Sequence, residues 1–541
     1  MAAVNPDPLP EDPYDAAFYY NAARSLAGGD GYVRLDGETT NLYAPGYPLL
    51  LAGAISVYGD DLLSAKLLNV FFGAATVGLV YVIGARVATR AVGLTAAAIL
   101  AVLPGQIIFT TVLMTEVVFA ALASMLVLLI MLWTADRRPS SLQVLALGLL
   151  IGAMALIRTE TLLLVPALAA LWLFFAPSPR ELARWLAVLA VGVTLPLVPW
   201  LARNYVEFDT LTLREGAPAA LRIGLSPDFD EQLAGAFFAQ EPPSYAELAR
   251  YYRDYPLDAG IFVLRKWAYL FGHEDDLIRW LQWHQPPPLS SDAAARWADA
   301  SVWSYYAVGL LAVGGTAGWL ARLDRRRAVI LWFVLSWASV FLLFAPQGRY
   351  HFPLVPMLSI LAAYTLAGCW GFVRRQIAAR TANVAAPERP ALRWRAVLPV
   401  LAFALLVIAL ATTILRGFPD SEARTRDLLR QADLSRLSQA LTDYSSEHDG
   451  FPSTGGLDRG EPLCALGAGA GCELRDVLKH DPPSDPLGTA EEHGYWYASD
   501  GDTAIIYARR ETDEPWAGPA CASPSALSDR GELQCVVVSR D

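Results

Sequence analysis

The chain has 541 residues, 54% of them hydrophobic and 18% charged, and its mean hydropathy is +0.34, which excludes a protein whose bulk is soluble. The formal net charge of -11 comes mostly from the start of the chain, from residues 205–301 and from the residues after 416. Because these parts are expected to lie outside the membrane, the charge indicates no particular charged partner, and no nucleic-acid partner is expected.

Residues 1–61 precede the first long apolar run and predict an outward-facing segment with two surface helices, at 14–27 and 47–58, joined by a Gly-rich turn. No signal peptide or leading span precedes this segment. We therefore expect one helix upstream of Met1 to be missing from the sequence. A short acidic N-terminus that crosses the membrane unaided is the alternative.

Residues 62–416 predict a multispan body, because apolar runs close to the roughly 20 residues that cross a bilayer recur through it. About ten spans are expected, at 65–85, 92–109, 117–133, 142–157, 161–176, 185–202, 302–320, 328–345, 352–373 and 396–415. Arginines concentrate in every second short loop, which makes those loops cytoplasmic. The start, the 205–301 loop and the C-terminal region then face outward.

Residues 417–541 are polar and predict a separate soluble α+β domain. A helical spacing of Leu434, Leu437, Leu441 and Tyr444 is followed by the breaker "GFPSTGG". The stretch "GYWYASDGDTAIIYARRE" predicts two strands around an Asp-Gly turn. Four cysteines on an oxidising side predict two disulfides, with the local pairing Cys464/Cys472 and Cys521/Cys535 favoured among three connectivities.

Ionisable residues lie at the outer ends of the predicted spans, where they are costly and usually functional. Glu116 follows the second span, Arg158 and Glu160 join the fourth to the fifth, and "PQGRYHFP" at 346–353 joins the eighth to the ninth. All are expected on the same face as Asp15. The sequence therefore predicts a polar cavity at the outer interface.

The chain resembles the GT-C fold glycosyltransferases that use lipid-linked sugars, in particular the protein O-mannosyltransferase and aminoarabinose transferase superfamily. The stretches that carry the resemblance, in order, are "DAAFYYNAARSLAGGDGYV", "NLYAPGYPLLLAG", "LMTE", "LIRTETLLLVP", "PWLARNYVEF" and "GRYHFPLVPML". The resemblance implies an all-α polytopic protein that transfers a sugar from a polyprenyl phosphate to an acceptor hydroxyl at the outer face of a prokaryotic cytoplasmic membrane. It also implies that Asp15 is the catalytic base.

The expected substrate-binding residues are Glu116, Arg349, Tyr350, Arg158, Glu160, Arg203, Lys66, Tyr19 and Tyr43. Several of the candidate residues have structural alternatives. Asp15 could cap its helix, which would leave Asp12 as the base, and Arg349 could reach to the membrane interface. The other arginines could form structural ion pairs, and the tyrosines could belong to an aromatic belt.

The stretch "FGHEDD" at 271–276, together with His284, raises the possibility of a metal site, but its spacing matches no closed site and a solvated acidic loop is favoured. No metal or cofactor is expected to be required.

The tail resembles type IV pilins and type II secretion pseudopilins through "ADLSRLSQALTDYSSEHDGFPSTGGL", "DPLG" and "GYWYASDG". The resemblance implies a tethered domain that presents an acceptor or binds a pilus or secretion partner. Two other functions remain open for the whole chain: a lipid-linked-sugar flippase, and an adhesion or scaffold protein that acts through its tail. The sugar, and whether the acceptor is a protein, a glycolipid or a cell-wall polymer, stay open as well.

Overall fold

The structure is a computed structural model that describes residues 15–34, 37–135, 138–225, 244–254, 256–272, 274, 290–382, 450–458, 461–463, 495–509, 511 and 533–539, with separate positions between 405 and 448. The chain divides into two compact units. The first contains residues 1–225, 244–274 and 300–414, and the second contains residues 226–243, 275–299 and 415–541.

The first unit is helical and begins with α1 Asp15–Gly28, α2 Gly46–Tyr58, α3 Leu62–Val87, α4 Arg90–Val102 and α5 Pro104–Phe109. The side chain of Asp61 caps α3 by accepting a hydrogen bond from the backbone N–H of Ser64. A single span was expected over 92–109, but the structure has two helices there. Leu103 adopts an extended conformation because the proline that follows disfavours the helical one.

The middle of this unit contains α6 Glu116–Ile130 with a π-helical turn at Met131–Ala135, α7 Ser141–Ala155, a 3-10 turn at Thr159–Leu163, α8 Leu164–Phe175 and α9 Pro179–Phe208. Helices α7 and α9 approach closely because both carry glycine at the contact. A Cβ atom on Gly148 would lie 2.6 Å from the carbonyl oxygen of Leu189. Arg158 lies in the turn that follows α7.

The remaining helices are α10 Ala217–Leu225, α11 Tyr245–Asp254, α12 Pro256–Gly272, α13 Ser291–Leu320, α14 Arg325–Val340 and α15 Val355–Ala382. A 3-10 segment, Gly348–Leu354, precedes α15 and is called the 348–354 segment below. Large buried side chains such as Phe119, Trp172 and Trp337 belong to one core, to which α3, α4, α6 to α9 and α12 to α15 contribute. The 348–354 segment packs against this core at its own residue Leu354.

Four helices are long and apolar enough to cross a membrane: Leu62–Val87, Glu116–Thr134, Pro179–Phe208 and Gly348–Ile377. Four shorter apolar helices accompany them, at Gly46–Tyr58, Arg90–Val102, Ser141–Ala155 and Thr159–Phe175. The described residues therefore contain a multi-pass set of apolar helices. The total of about ten spans stays a prediction, and most of the expected span at 396–415 lies outside the described residues.

The second unit contains an antiparallel sheet in the order β1 Glu461–Pro462, β2 Tyr495–Ser499, β3 Thr503–Arg509 and β4 Leu533–Ser539. Strands β2 and β3 form the hairpin predicted around Asp500-Gly501, with Tyr497 opposite Ile506. One face packs against the helical stripe Leu434, Leu437, Leu441 and Tyr444. The likeness to pilins stays a prediction.

Cys535 on β4 is disulfide-bonded, whereas Cys464, Cys472 and Cys521 lie outside the described residues. The pairing therefore stays a prediction. Cys369 is an exposed free cysteine.

Candidate active site

Asp15 is the first residue of α1, and both of its carboxylate oxygens have partners. The hydroxyl of Tyr43 donates to Oδ1 at 2.6 Å, and Nη2 of Arg349 donates to Oδ2 at 2.9 Å. The Asp15 side chain is 18% exposed, so it remains within reach of a ligand. The alternative of a purely capping role does not account for these two partners from distant parts of the sequence.

Arg349 lies in the 348–354 segment and is held on several sides. Its Nε donates to Oε1 of Gln347 at 2.8 Å and lies 3.6 Å from Oε1 of Glu116. Its Nη1 lies 3.6 Å from the sulfur of Met114. The guanidinium therefore faces two carboxylates and is nearly buried inside the protein.

Glu116 and Arg158 form a buried ion pair behind Arg349. Nη1 of Arg158 donates to Oε1 of Glu116 at 3.0 Å, and both side chains are almost fully buried. The guanidinium of Arg158 also lies over the ring of Tyr350, 4.4 Å from its centroid. Buried charges of this kind need a partner to offset the loss of hydration. The two carboxylates and two guanidiniums described so far balance one another.

Tyrosine rings enclose Asp15 on the side of α1 and α2. The centroid of the Tyr19 ring lies 5.3 Å from that of Tyr43 and 5.3 Å from that of Tyr47. Burial raises the pKa of Tyr43, and the charge of Asp15 raises it further. The Tyr43 hydroxyl therefore stays protonated and keeps donating to Asp15. Within the described part of the chain the hydroxyl of Tyr19 has no hydrogen-bond partner, which leaves it available to a ligand.

Lys66 on α3 is only 3% exposed. Among the residues that the structure describes, it has neither a hydrogen-bond acceptor nor an ion-pair partner. An ammonium without a partner at the end of a nearly buried side chain is suited to an anionic ligand.

Two predicted site residues make other contacts. Arg203 donates to the backbone carbonyl of Thr40 at 2.7 Å and stacks over Trp200 at 4.8 Å, so it holds the segment between α1 and α2. Glu160 lies 3.9 Å from Arg214. Asp12, the alternative base, lies outside the described residues.

Several contacts of the cluster had not been predicted. Met114 and Thr115 directly precede Glu116, and Gln347 lies in the same short loop as Arg349. Their place in "LMTE" and "PQGRYHFP" was the only sequence signal for them.

The described residues contain no group of three or more His, Cys, Asp or Glu side chains that could hold a metal ion. Glu274 of the "FGHEDD" stretch contacts His351 instead, and His284 lies outside the described residues.

Residues 43–202 match the family model described as dolichyl-phosphate-mannose-protein mannosyltransferase. This range contains Tyr43, Lys66, Glu116, Arg158 and Glu160. It covers less than half of the 541 residues. No curated protein matches the chain.

The chain is also distantly similar to several solved structures. The crystal structure of ArnT from Cupriavidus metallidurans bound to undecaprenyl phosphate has 13% identity and a TM-score of 0.42, and the match covers 89% of this chain and 83% of that one. The archaeal oligosaccharyltransferase AglB from Archaeoglobus fulgidus, in complex with an inhibitory peptide and a dolichol-phosphate, has 13% identity and a TM-score of 0.40. That match covers 80% of this chain and 55% of that one.

Proposed function

We propose that the chain is a membrane glycosyltransferase that moves a sugar from a polyprenyl-phosphate donor to an acceptor hydroxyl at the outer face of a cytoplasmic membrane. The observation that carries the proposal is the partly buried contact of Asp15 with Arg349, in a chain whose residues 43–202 match a mannosyltransferase family model. A carboxylate beside a guanidinium supplies a base and a phosphate ligand in one place.

The charges of the site favour an anionic ligand. Asp15 and Glu116 balance Arg349 and Arg158, whereas Lys66 adds a positive charge that no described residue offsets. A donor phosphate would provide the missing counter-charge. The fork of Arg349 matches two phosphate oxygens, and the ammonium of Lys66 can bind another.

Asp15 would act as the general base. It accepts the proton of the acceptor hydroxyl while the hydroxyl oxygen forms a bond to the anomeric carbon. The bond between that carbon and the phosphate oxygen breaks, and the polyprenyl phosphate leaves with the electron pair. Attack on the face opposite the phosphate inverts the anomeric centre. Positive charge that develops on the sugar ring lies near the Asp15 carboxylate, which stabilises it.

The resting contacts also suggest an order of events. Arg349 is shared between Asp15 and Glu116, so an arriving phosphate competes with Asp15 for the guanidinium. When Arg349 turns toward the phosphate, one oxygen of Asp15 becomes free to accept a proton. Donor binding would thereby prepare the base before the acceptor reacts.

The test is sugar transfer by the purified chain in lipid nanodiscs, with polyprenyl-phosphate sugars as donors and release of polyprenyl phosphate as the readout. Asp15→Asn is expected to abolish transfer, because the amide cannot accept the proton. Asp60→Asn is the matched control, since Asp60 is an exposed carboxylate that also bonds an arginine and a tyrosine. Full activity of Asp15→Asn would contradict the proposal, as would lack of acceptor-dependent transfer by the unmodified chain.

The sugar and the acceptor would come from mass spectrometry of glycans and glycoproteins in a strain that lacks the gene. Loss of one glycan, restored by the unmodified gene and not by the Asp15→Asn variant, would identify both substrates.

A further inference from the structure

The strongest feature that the proposed reaction does not use is a buried histidine and carboxylate beside Arg349. His351 lies in the 348–354 segment and is 1% exposed. Its Nε2 contacts Oε2 of Glu274, and its Nδ1 lies 2.7 Å from the backbone carbonyl oxygen of Leu270. Leu270 is in the last turn of α12 and Glu274 follows that helix. Two side-chain atoms of one residue therefore join the segment to the end of α12.

The partners determine where the protons are. A carbonyl oxygen only accepts, so Nδ1 of His351 must carry a proton that it donates to Leu270. The contact between Nε2 and Glu274 then needs one more proton between the two groups. Whether that proton belongs to the imidazole or to the carboxyl group, the pair as a whole is neutral. Burying such a paired group costs less than burying either group alone without its partner.

Helix α13 completes the surroundings of the pair. The hydroxyl of Ser301 donates to Oε1 of Glu274 at 3.0 Å, and the ring of Tyr305 stacks on the imidazole with centroids 4.4 Å apart. The hydroxyl of Tyr306 donates to the carbonyl of Gly272 at 2.6 Å, at the last residue of α12. Because both Glu274 oxygens and both His351 nitrogens have partners, the arrangement fixes position and orientation together.

Arg349 and His351 are two residues apart in a single 3-10 segment, in which each residue advances about 2 Å along the axis. Arg349 contacts Asp15, whereas His351 contacts α12. A shift of the segment at His351 would move the guanidinium by a similar distance. Hydrogen bonds from the shifted guanidinium to a phosphate would be longer and less well aligned, and would therefore lose most of their strength.

We propose that Glu274 and His351 are positioning residues that hold the 348–354 segment where Arg349 can bind the phosphate of the lipid donor. This inference rests on the proposed function and extends it to the loop between α9 and α13. Neither residue contacts the reacting atoms. Their effect reaches the donor through the placement of Arg349, and it should therefore appear in donor affinity more than in the rate of the chemical step.

The test measures the dissociation constant of the full-length protein in nanodiscs for polyprenyl phosphate, together with the donor KM and kcat. Glu274→Ala is expected to weaken polyprenyl-phosphate binding about tenfold, because it removes a buried hydrogen bond that holds the 348–354 segment. The donor KM should rise by a similar factor while kcat changes less. Glu274→Gln should restore affinity to within about threefold, because its amide can donate to Nε2.

Trp267→Phe is the matched control. It removes a hydrogen bond of 3.1 Å from the same helix, α12, to the carbonyl of Ala338 on α14, and this bond does not involve the 348–354 segment. Its affinity for polyprenyl phosphate should be unchanged. Equal weakening in Trp267→Phe and Glu274→Ala would overturn the proposal, because general loosening of α12 would then explain the effect.

If Glu274→Ala fails to fold, a milder variant tests the positioning role of Glu274. Ser301→Ala removes only the hydroxyl that donates to Glu274, and should weaken binding about two- to threefold. Unchanged binding in this variant would overturn the inference. Because binding and transfer are measured separately, lack of transfer by the unmodified chain would reject the glycosyltransferase function, and the binding comparison would still decide the role of Glu274.

Discussion

Arg349 donates a hydrogen bond of 2.9 Å to Asp15 across 334 positions of the sequence. The contact joins the start of α1 to the segment before α15, so the first and last parts of the helical unit meet at one carboxylate. Each of the two residues also contacts another side chain of the site: Tyr43 donates to Asp15, and Glu116 lies beside Arg349. The four side chains form a connected site, and its members can be tested one at a time.

Arg349→Ala should weaken donor binding strongly, because it removes a fork of donors from the phosphate. A hydrogen bond to a charged group contributes about 1.5–3 kcal/mol, which corresponds to a rise in donor KM of about 10- to 100-fold. Arg349→Lys should recover only part of the loss, since a lysine cannot bind two oxygens in the same fixed geometry. Steady-state kinetics at varied donor concentration would measure the donor KM of both variants.

Arg24→Ala provides the comparison for Arg349. Arg24 also pairs with an aspartate at short distance, but its side chain is about half exposed and it lies at the surface with Asp60. Its removal should leave the donor KM unchanged. An unchanged KM in Arg349→Ala would remove Arg349 from the donor site.

Glu116→Gln should lower the stability of the protein as well as its activity. Breaking a buried ion pair leaves Arg158 without its counter-charge and costs about 3–5 kcal/mol. The double variant Glu116→Gln with Arg158→Met should recover part of this loss, because the unpaired charge is removed. The measurement is a double-mutant cycle of apparent melting temperatures, with the unmodified protein, the two single variants and the double variant. Purely additive effects would contradict a direct pair.

Three charged members of the site, Glu116, Arg158 and Arg349, were recognisable in the sequence because each follows or precedes an apolar run at the same expected face. Asp15 was selected through the resemblance of its stretch to a known family, and the structure brings the four residues together. Their catalytic and binding roles stay predictions. Arg203 fulfilled the same criterion but bonds to backbone carbonyls, which no side-chain pattern reveals.

The sequence carries no indication of the contacts of His351 either, because one of them is to a backbone carbonyl and the other is to a distant residue. Its partner Glu274 is 77 positions away in a long loop with no repeated pattern, and its other partner is a backbone carbonyl. The break of the expected span at Leu103 is different, since Pro104 was visible and its effect on the preceding residue is general. Local chemistry was therefore easier to predict than contacts between distant loops.

Tyr43→Phe should reduce kcat about tenfold and leave the donor KM nearly unchanged. The substitution removes the 2.6 Å hydrogen bond that orients Oδ1 of Asp15 but leaves the ring in place. Tyr20→Phe is a closely matched control, because it removes a hydrogen bond of 3.1 Å to the exposed Asp60. Equal kcat values for the two variants would show that Tyr43 has no part in placing the base.

Lys66→Met should have opposite effects on stability and on binding. In the protein without donor this nearly buried side chain ends in an ammonium with no partner among the described residues, so a methionine should raise the free energy of unfolding by about 1 kcal/mol. With donor present the lost charge should weaken polyprenyl-phosphate binding about tenfold. Melting temperatures with and without polyprenyl phosphate measure both effects on one sample.

Lys266→Met is the matched control for Lys66→Met, because Lys266 is also a buried lysine but its ammonium has hydrogen-bond acceptors. Its Nζ donates to the carbonyl oxygens of Gly224 at 2.6 Å and Leu342 at 2.9 Å. Here methionine leaves two carbonyls without a donor, so stability should fall and polyprenyl-phosphate affinity should not change. If Lys66→Met instead destabilised the donor-free protein as Lys266→Met does, Lys66 would have a structural partner and the phosphate would have to be bound by the arginines alone.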